Sequence, residues 1–334
     1  MGALFVGVDG GGTSTRCVVV TESGEIAGRG LAGGANAISV PDPAANLRAA
    51  LLGALEGLDR ARVAGGVFGL AGAARAAEPA ERAWREAGLA GRPAVVADVL
   101  VAFTGATDEP DGAVLVAGTG AIGARVRDRR VVRRADGLGW LLGDEGSGVW
   151  LGRRAAAAAL NAIDGRGAST VLVARVAEAV LGAGAAGEDD GPALAQALVS
   201  VVYARVAERG PAWLGTLAPV VDTAAREGDE VARGVVAEAA RRLCRTARVV
   251  TGEAAHDRGA RAAGGGGPLV LAGSLLTEPT ELAHLVRAEL GRRATLVRAR
   301  DAAAGAAALA VRAALPGDPR AAEAHRALIG QGGA

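Results

Sequence analysis

Residues 5–15 read Phe5-Val6-Gly7-Val8-Asp9-Gly10-Gly11-Gly12-Thr13-Ser14-Thr15, and a second apolar run, Cys17-Val18-Val19-Val20, follows. This stretch constrains the fold more than any other. An apolar strand ending in an aspartate, three glycines and a second strand make a β-hairpin whose tip is nearly bare backbone. Glycine reaches positive φ and lets a ligand approach the main chain closely. Amides at such a tip suit a phosphate, and Asp9 beside them suits a magnesium ion. An ordinary tight turn after an edge strand accounts for the glycines equally well, so both readings stand open.

The hairpin extends into a meander, with strands expected over 5–8, 16–20 and 25–31. The same pattern returns later in the chain. An apolar strand over 113–116 leads to Ala117-Gly118-Thr119-Gly120-Ala121, then to strands over 122–126 and 131–134. This is a weak internal repeat. With 334 residues the chain is long enough for two full cores. The polar break Asp108-Glu109-Pro110-Asp111-Gly112 is the expected boundary, giving domains of 1–110 and 111–316. Two such hairpins would grip the phosphates of one nucleotide from opposite sides.

Between the hairpins, strand and helix alternate. A helix over 43–58 carries the stripe Leu47, Leu51, Leu52 and Leu55. A strand over 63–70 ends in Ala71-Gly72-Ala73. A helix over 78–88 has Pro79 near its start, and a strand over 94–97 ends on Asp98, where a helix over 99–104 begins. Such alternation predicts parallel strands covered by helices, an α/β fold, with functional groups at the carboxyl ends of the strands. Asp9, Ala71-Gly72 and Asp98 all lie at such ends. Asn36, where the first meander leaves the sheet, reads either as a contact to a sugar hydroxyl or as a turn cap.

After the second meander, residues 137–148 hold the adjacent carboxylates Asp144 and Glu145 inside a glycine loop, followed by a helix over 149–160. Either carboxylate would cap that helix or be held for a ligand. Residues 165–262 read as mostly helical, with Tyr203 and Trp213 as core or groove residues and alternating charges as solvated faces. A flexible glycine loop over 262–268 precedes a strand from Leu269 that ends in Gly273-Ser274. A helix over 279–290, a strand over 294–297 and a helix over 302–315 are expected to complete the second domain. A last helix, over 318–329, is expected to pack back on the first. Ala303, Ala304, Gly305, Ala307 and Ala308 predict very close helix packing.

Composition removes several classes. All 37 basic residues are arginine. A P-loop, a protein kinase and a Schiff-base enzyme each require a lysine, so all three are excluded. Net charge is +1, which gives no support for a nucleic-acid partner. Cys17 and Cys244 are too few for a zinc ribbon or disulfide scaffold and fit a reducing cytoplasm. His256, His284 and His325 form no ligand pair and read as surface residues. No run approaches 18 apolar residues and no secretory signal is visible, so no membrane partner is expected.

The ordered set of motifs resembles the actin-like ATPase superfamily, and more narrowly the BadF/BadG/BcrA/BcrD-type ATPases and the N-acetylglucosamine kinases. The matching pieces are residues 9–15, Gly69-Leu70-Ala71-Gly72, Asp98, Ala117-Gly118-Thr119-Gly120, residues 139–147 around Gly143-Asp144-Glu145-Gly146-Ser147, and Leu271-Ala272-Gly273-Ser274. The resemblance implies two ribonuclease-H-like domains with a cleft between them. It implies that Gly10, Gly11, Gly12 and Thr13, with Thr15, hold the β- and γ-phosphates of ATP, that Gly118, Thr119 and Gly120 grip the nucleotide from the other domain, and that Gly273 and Ser274 lie by the adenosine. Asp9 would hold Mg²⁺ and Asp98 would be the base. Asn36, Gly72, Gly139, Trp140 and Asp144 would face the sugar. Where amino-sugar kinases can carry a serine in the loop after the fourth strand, this chain has Ala71, which removes one substrate contact.

The implied activity is ATP-dependent phosphorylation of the 6-hydroxyl of N-acetylglucosamine, with glucosamine the nearest rival and a homodimer the expected assembly. An ATPase activator of an acyl-CoA dehydratase or reductase is the alternative; such proteins hold an iron–sulfur cluster through cysteines. Neither Cys17 nor Cys244 sits in the loops after the second hairpin. A non-catalytic nucleotide-dependent protein would require disabled carboxylates, and Asp9, Asp98 and Asp144 are all present.

Overall fold

The computed structural model describes residues 2–36, 40–185, 191–252 and 267–331. His256, most of the glycine loop and part of the expected break at 182–192 lie outside them.

The first half runs β1 (Leu4–Gly10), β2 (Ser14–Thr21), β3 (Ile26–Gly33), α1 (Pro43–Ala54), β4 (Val63–Leu70), α2 (Ala73–Glu86), β5 (Ala94–Ala97) and α3 (Asp98–Thr104). The second begins with β6 (Gly112–Ala117), β7 (Ala121–Arg127) and β8 (Arg130–Asp136). Five helices follow: α4 (Gly148–Ile163), α5 (Leu172–Leu181), α6 (Pro192–Arg209), α7 (Ala218–Arg226) and α8 (Glu230–Thr251). It closes with β9 (Leu269–Ala272), α9 (Ser274–Thr277), α10 (Glu281–Leu290), β10 (Leu296–Arg298), α11 (Ala302–Ala314) and α12 (Pro319–Gln331).

The two sheets have the same plan. Their orders are β3-β2-β1-β4-β5 and β10-β9-β6-β7-β8. In each, a three-stranded antiparallel meander is joined by two strands parallel to its first strand. The repeat visible in the hairpin tips therefore extends to whole sheets.

Alternation along β1 explains its burial on both faces. Leu4, Val6 and Val8 join a core with α1 and α2, whereas Phe5 joins a core with α11. The opposite face is shielded at very short range. A Cβ on Gly7 would overlap the backbone of Ala303 and Ala307, so only glycine lets α11 lie directly on β1.

That contact corrects one expectation. The helix read as completing the second domain packs on the first sheet, with Phe5, Val18, Val20 and Val67. The chain crosses back after β10, and the small residues of α11 seat it on β1 and against α3. The last helix also packs here, through Ala321, Ala324 and Leu328, and His325 is not at the surface. It is fully buried, its Nε2 2.6 Å from Thr104 O, with Arg312 Nε donating to its Nδ1 at 3.0 Å. Since Nδ1 accepts, Nε2 carries the proton.

α3 lies between the two sheets. Val101 faces the α11 core, while Val99, Leu100 and Phe103 pack with Val114, Ala124 and Val270 of the second sheet. α2 begins at Ala73, earlier than the position of Pro79 predicts. Its stripe of Ala76, Ala80, Ala83 and Trp84 is buried continuously, and that burial outweighs the hydrogen bond lost at the proline. Trp213 is in the core, whereas Tyr203 is exposed on α6.

Candidate functional site

The first hairpin tip is fastened from below. Gly11 N donates to Ser14 O at 3.0 Å, Ala35 N to Gly11 O at 2.9 Å and Ala71 N to Gly10 O at 3.3 Å. The exits of β3 and β4 thus hold the tip backbone. Gly12 and Thr13 are exposed at its crest, and nothing lies within 4 Å of where a Cβ on Gly12 would sit. Thr15 is turned away: its hydroxyl is buried and donates to Gly33 O at 2.7 Å. Asn36 is half-buried beyond this tip, and its carbonyl accepts from Val40 N at 2.9 Å. Gly72, exposed with φ of 70°, precedes α2.

Two carboxylates converge at this end of the first sheet. Asp9 pairs in register with Gly69, and Asp98 follows directly on Ala97, which pairs with Leu70. Burial pushes the Asp9 carboxyl up to about 7, and the charges of Asp98 and Asp301 push the same way, against Arg16. Burial also raises Asp98. It is opposed by the amide of Val99, which donates to Asp98 Oδ1 at 2.9 Å, and by the charge of Arg134. Arg134 belongs to β8, so the edge of the second sheet reaches the acid of the first. Asp301 caps α11 through Ala304 N at 3.0 Å and pairs with Arg29 at 2.9 Å.

The second hairpin tip is tied to a helix. Gly118 N donates to Gly120 O at 2.9 Å, and Gly148 N, at the start of α4, donates to Gly118 O at 2.7 Å. Gly273 has a φ of 83° and lies so close that a Cβ would overlap Ala117 O. Gly118–Gly120 and Gly273-Ser274 are therefore neighbours.

Between β8 and α4, Asp136 has a φ of 63° and accepts from Asp144 N at 2.7 Å and Glu145 N at 2.8 Å. Asp144 has a φ of 54°, an uncommon conformation for a residue with a Cβ. Its carboxyl is raised by burial, partly offset by the amides of Ala121 and Gly139. A Cβ on Gly120 would stand 3.0 Å from Asp144 Oδ2, so this acid borders the second tip. Trp140 is partly exposed in the same loop, beside the well-exposed Leu138, Leu141 and Leu142. Neither Asp144 nor Glu145 caps α4. Ser147 does, accepting from Trp150 N at 3.1 Å.

Asp136, Arg134 and Asp301 escaped the sequence reading. Asp136 precedes Gly137, a turn signal, and Asp301 stands immediately before a helix, where a cap is expected. Both cysteines are buried, Cys17 in the core with α1 and α2 and Cys244 on α8 among the helices of the second half, and burial raises both thiols. A cavity of about 590 Å³ lined by Arg226, Thr280, Glu281, His284 and Arg287 shares no residue with the groups above. Among the described residues no helix is long and apolar enough to cross a membrane.

The BadF/BadG/BcrA/BcrD ATPase family model matches residues 6–310, taking in both sheets and both tips. The chain belongs to this family. The N-acetylmuramic acid/N-acetylglucosamine kinase of Clostridium acetobutylicum is 29% identical over 185 residues, which is 55% of this chain and 56% of that protein. The match thus spans about half the length of that relative. A candidate N-acetylglucosamine kinase from Chromobacterium violaceum superposes with a TM-score of 0.60 at 26% identity, covering 93% of this chain and 99% of that one. A ROK family glucokinase from Streptomyces griseus, solved with glucose and AMPPNP, gives 0.54 at 22% identity, over 92% and 99%. With these structures the chain shares the two-domain actin-like ATPase fold.

Proposed function

We propose that this member of the family is an ATP-dependent amino-sugar kinase that phosphorylates the 6-hydroxyl of N-acetylglucosamine, with glucosamine the nearest other acceptor. The observation that carries the reading is the half-buried Asp98 carboxyl, at the start of the helix lodged between two glycine-tipped sheets. Asp98 orients the sugar hydroxyl and accepts its proton as the phosphoryl group moves, a role typically worth about 10²–10⁴-fold. The amides of Gly10, Gly11, Gly12 and Thr13 hold the β- and γ-phosphates, with Gly118, Thr119 and Gly120 opposite them. Thr15 supports its hairpin from within, since its hydroxyl is committed to Gly33 O. Gly273 and Ser274 border the adenosine. Asn36, Gly72, Gly139, Trp140 and Asp144 face the sugar.

The donor set fits a magnesium ion. Asp9 is a half-buried carboxyl raised to about 7 by desolvation and by the charges of Asp98 and Asp301, a charge excess that a dication relieves. No group of three or more His, Cys, Asp or Glu among the described residues could hold a metal. The ion would therefore be held by Asp9 together with phosphate oxygens and water, as is usual for Mg²⁺. It would neutralise phosphate charge, a role for which this chain has no lysine.

The proposed first domain is residues 1–110 with α11 and α12 returned to it; the second is the segment from 111 to β10. The burial of both cysteines speaks against the acyl-CoA activator, which requires accessible thiolates for a cluster. A coupled assay with ATP and Mg²⁺ on N-acetylglucosamine, glucosamine, N-acetylmuramic acid and glucose tests the proposal. Highest turnover on N-acetylglucosamine is expected. Equal and negligible turnover on all four contradicts it.

A further inference from the structure

Glu145 neighbours Asp144, yet its side chain is turned to the opposite task. Its carboxylate pairs with Arg242 of α8. Arg242 also donates from Nε and Nη2 to Glu238 Oε1, at 3.0 and 2.6 Å. Glu238 Oε2 accepts in turn from Arg154 Nη2 at 3.0 Å. Both guanidinium groups lie over the buried ring of Trp150, with Arg242 5.3 Å and Arg154 5.5 Å from its centroid. The planar fork of arginine suits both the carboxylates and the ring.

The backbone on either side is locked to the same helix. Gly146 has a φ of 84°, and a Cβ there would stand 2.7 Å from Leu243 Cγ and 2.9 Å from Ala239 O, both on α8. Asp136 holds the amides of Asp144 and Glu145 from below. Asp144 is thus kept in a left-handed conformation that is unfavourable for a residue with a Cβ. The surroundings must over-determine it.

We infer that Glu145 is a positioning residue: through Arg242, Glu238, Arg154 and Trp150 it latches the 137–147 loop to α8 and so aims the Asp144 carboxylate at the sugar. The inference rests on the proposed sugar-kinase reading. In it Glu145 accepts no proton from substrate, and sugar affinity depends on residues of α8 that touch no ligand.

Glu145→Gln separates the two roles, because an amide oxygen still accepts from Arg242 but cannot serve as a base. Glu145→Gln is expected to hold kcat and the sugar KM within about threefold, whereas Glu145→Ala and Arg242→Ala each raise the sugar KM about tenfold with the ATP KM unchanged. A hundredfold loss of kcat in Glu145→Gln at unchanged sugar KM would overturn the inference. So would wild-type constants in Glu145→Ala. Thermal unfolding without substrate supplies a readout that does not depend on turnover. The Glu145→Ala/Arg242→Ala double variant should melt with the weaker single variant, and additive shifts would refute the latch even if the wild type phosphorylates no sugar.

Discussion

Asp98 stands two strands from Asp9 at the same end of the first sheet, and its charge joins burial in raising the Asp9 carboxyl to about 7. Two neighbouring acids partly withdrawn from water cannot both ionise cheaply without a cation. That repulsion underlies the proposed roles, Asp9 as the metal-seeking acid and Asp98 as the base.

The first consequence concerns stability. The folded pKa of Asp9 lies above the unfolded value of 3.8, so its contribution is present at low pH and lost as pH rises through about 7. Asp9→Asn should therefore stabilise the metal-free protein at pH 8, by up to about 4 kcal/mol at 1.36 kcal/mol per pKa unit, and should add nothing near pH 4. Denaturant unfolding at the two pH values measures this. The same variant should lose the stabilisation that Mg²⁺ and ATP give the wild type.

The hairpin tip allows a test that spares the fold. Nothing lies within 4 Å of a Cβ on Gly12, and its φ is not positive. Gly12→Ala should melt like the wild type yet bind ATP about tenfold or more weakly, since the methyl would stand where the proposed phosphate contact meets backbone. Calorimetric titration with ATP decides it. Wild-type affinity would remove the tip from the nucleotide site.

Across the sheets, Arg134 lowers the pKa of Asp98. In the proposed role Asp98 must be deprotonated to act as base, so the acid limb of the kcat/KM profile should follow this group. Arg134→Gln removes the opposing charge and should move that limb to higher pH. An unmoved limb would show that another group controls it.

His325 supplies an acid-sensitive clasp on α3. Burial lowers it from 6.5 to about 4, helped by Arg312 and Arg129, while the bond to Thr104 and the charge of Asp108 oppose the shift. Its folded pKa is depressed, so the unfolded chain binds the extra proton first. Stability should be full above about pH 6.5 and fall by about 3 kcal/mol as pH drops to 4. His325→Gln should flatten that part of the curve in urea titrations.

The parts legible in the sequence were those carried by local chemistry. Both meanders, their glycine tips and the strand ends at Asp9 and Asp98 follow from period-two apolar runs broken by turn residues. What escaped depends on partners distant in the chain. Ala303 and Ala307 announce close packing but not its object, which is Gly7, some 300 residues away. His325 shows no ligand spacing, because its partners Thr104 and Arg312 are helix residues of other segments. Glu145 and Asp144 are indistinguishable as neighbours in a loop. Only Arg242, on a helix that reads as plain solvated charge, tells one from the other.

The central claim meets its most direct test in one comparison: ADP release with and without N-acetylglucosamine, in the wild type and in Asp98→Asn, with the sugar product identified by NMR. The account predicts that the wild type releases one ADP per molecule of N-acetylglucosamine 6-phosphate. It predicts a rate lower by about 10²–10⁴ in Asp98→Asn with ATP still bound. Sugar-independent ADP release, or wild-type turnover in Asp98→Asn, would contradict it.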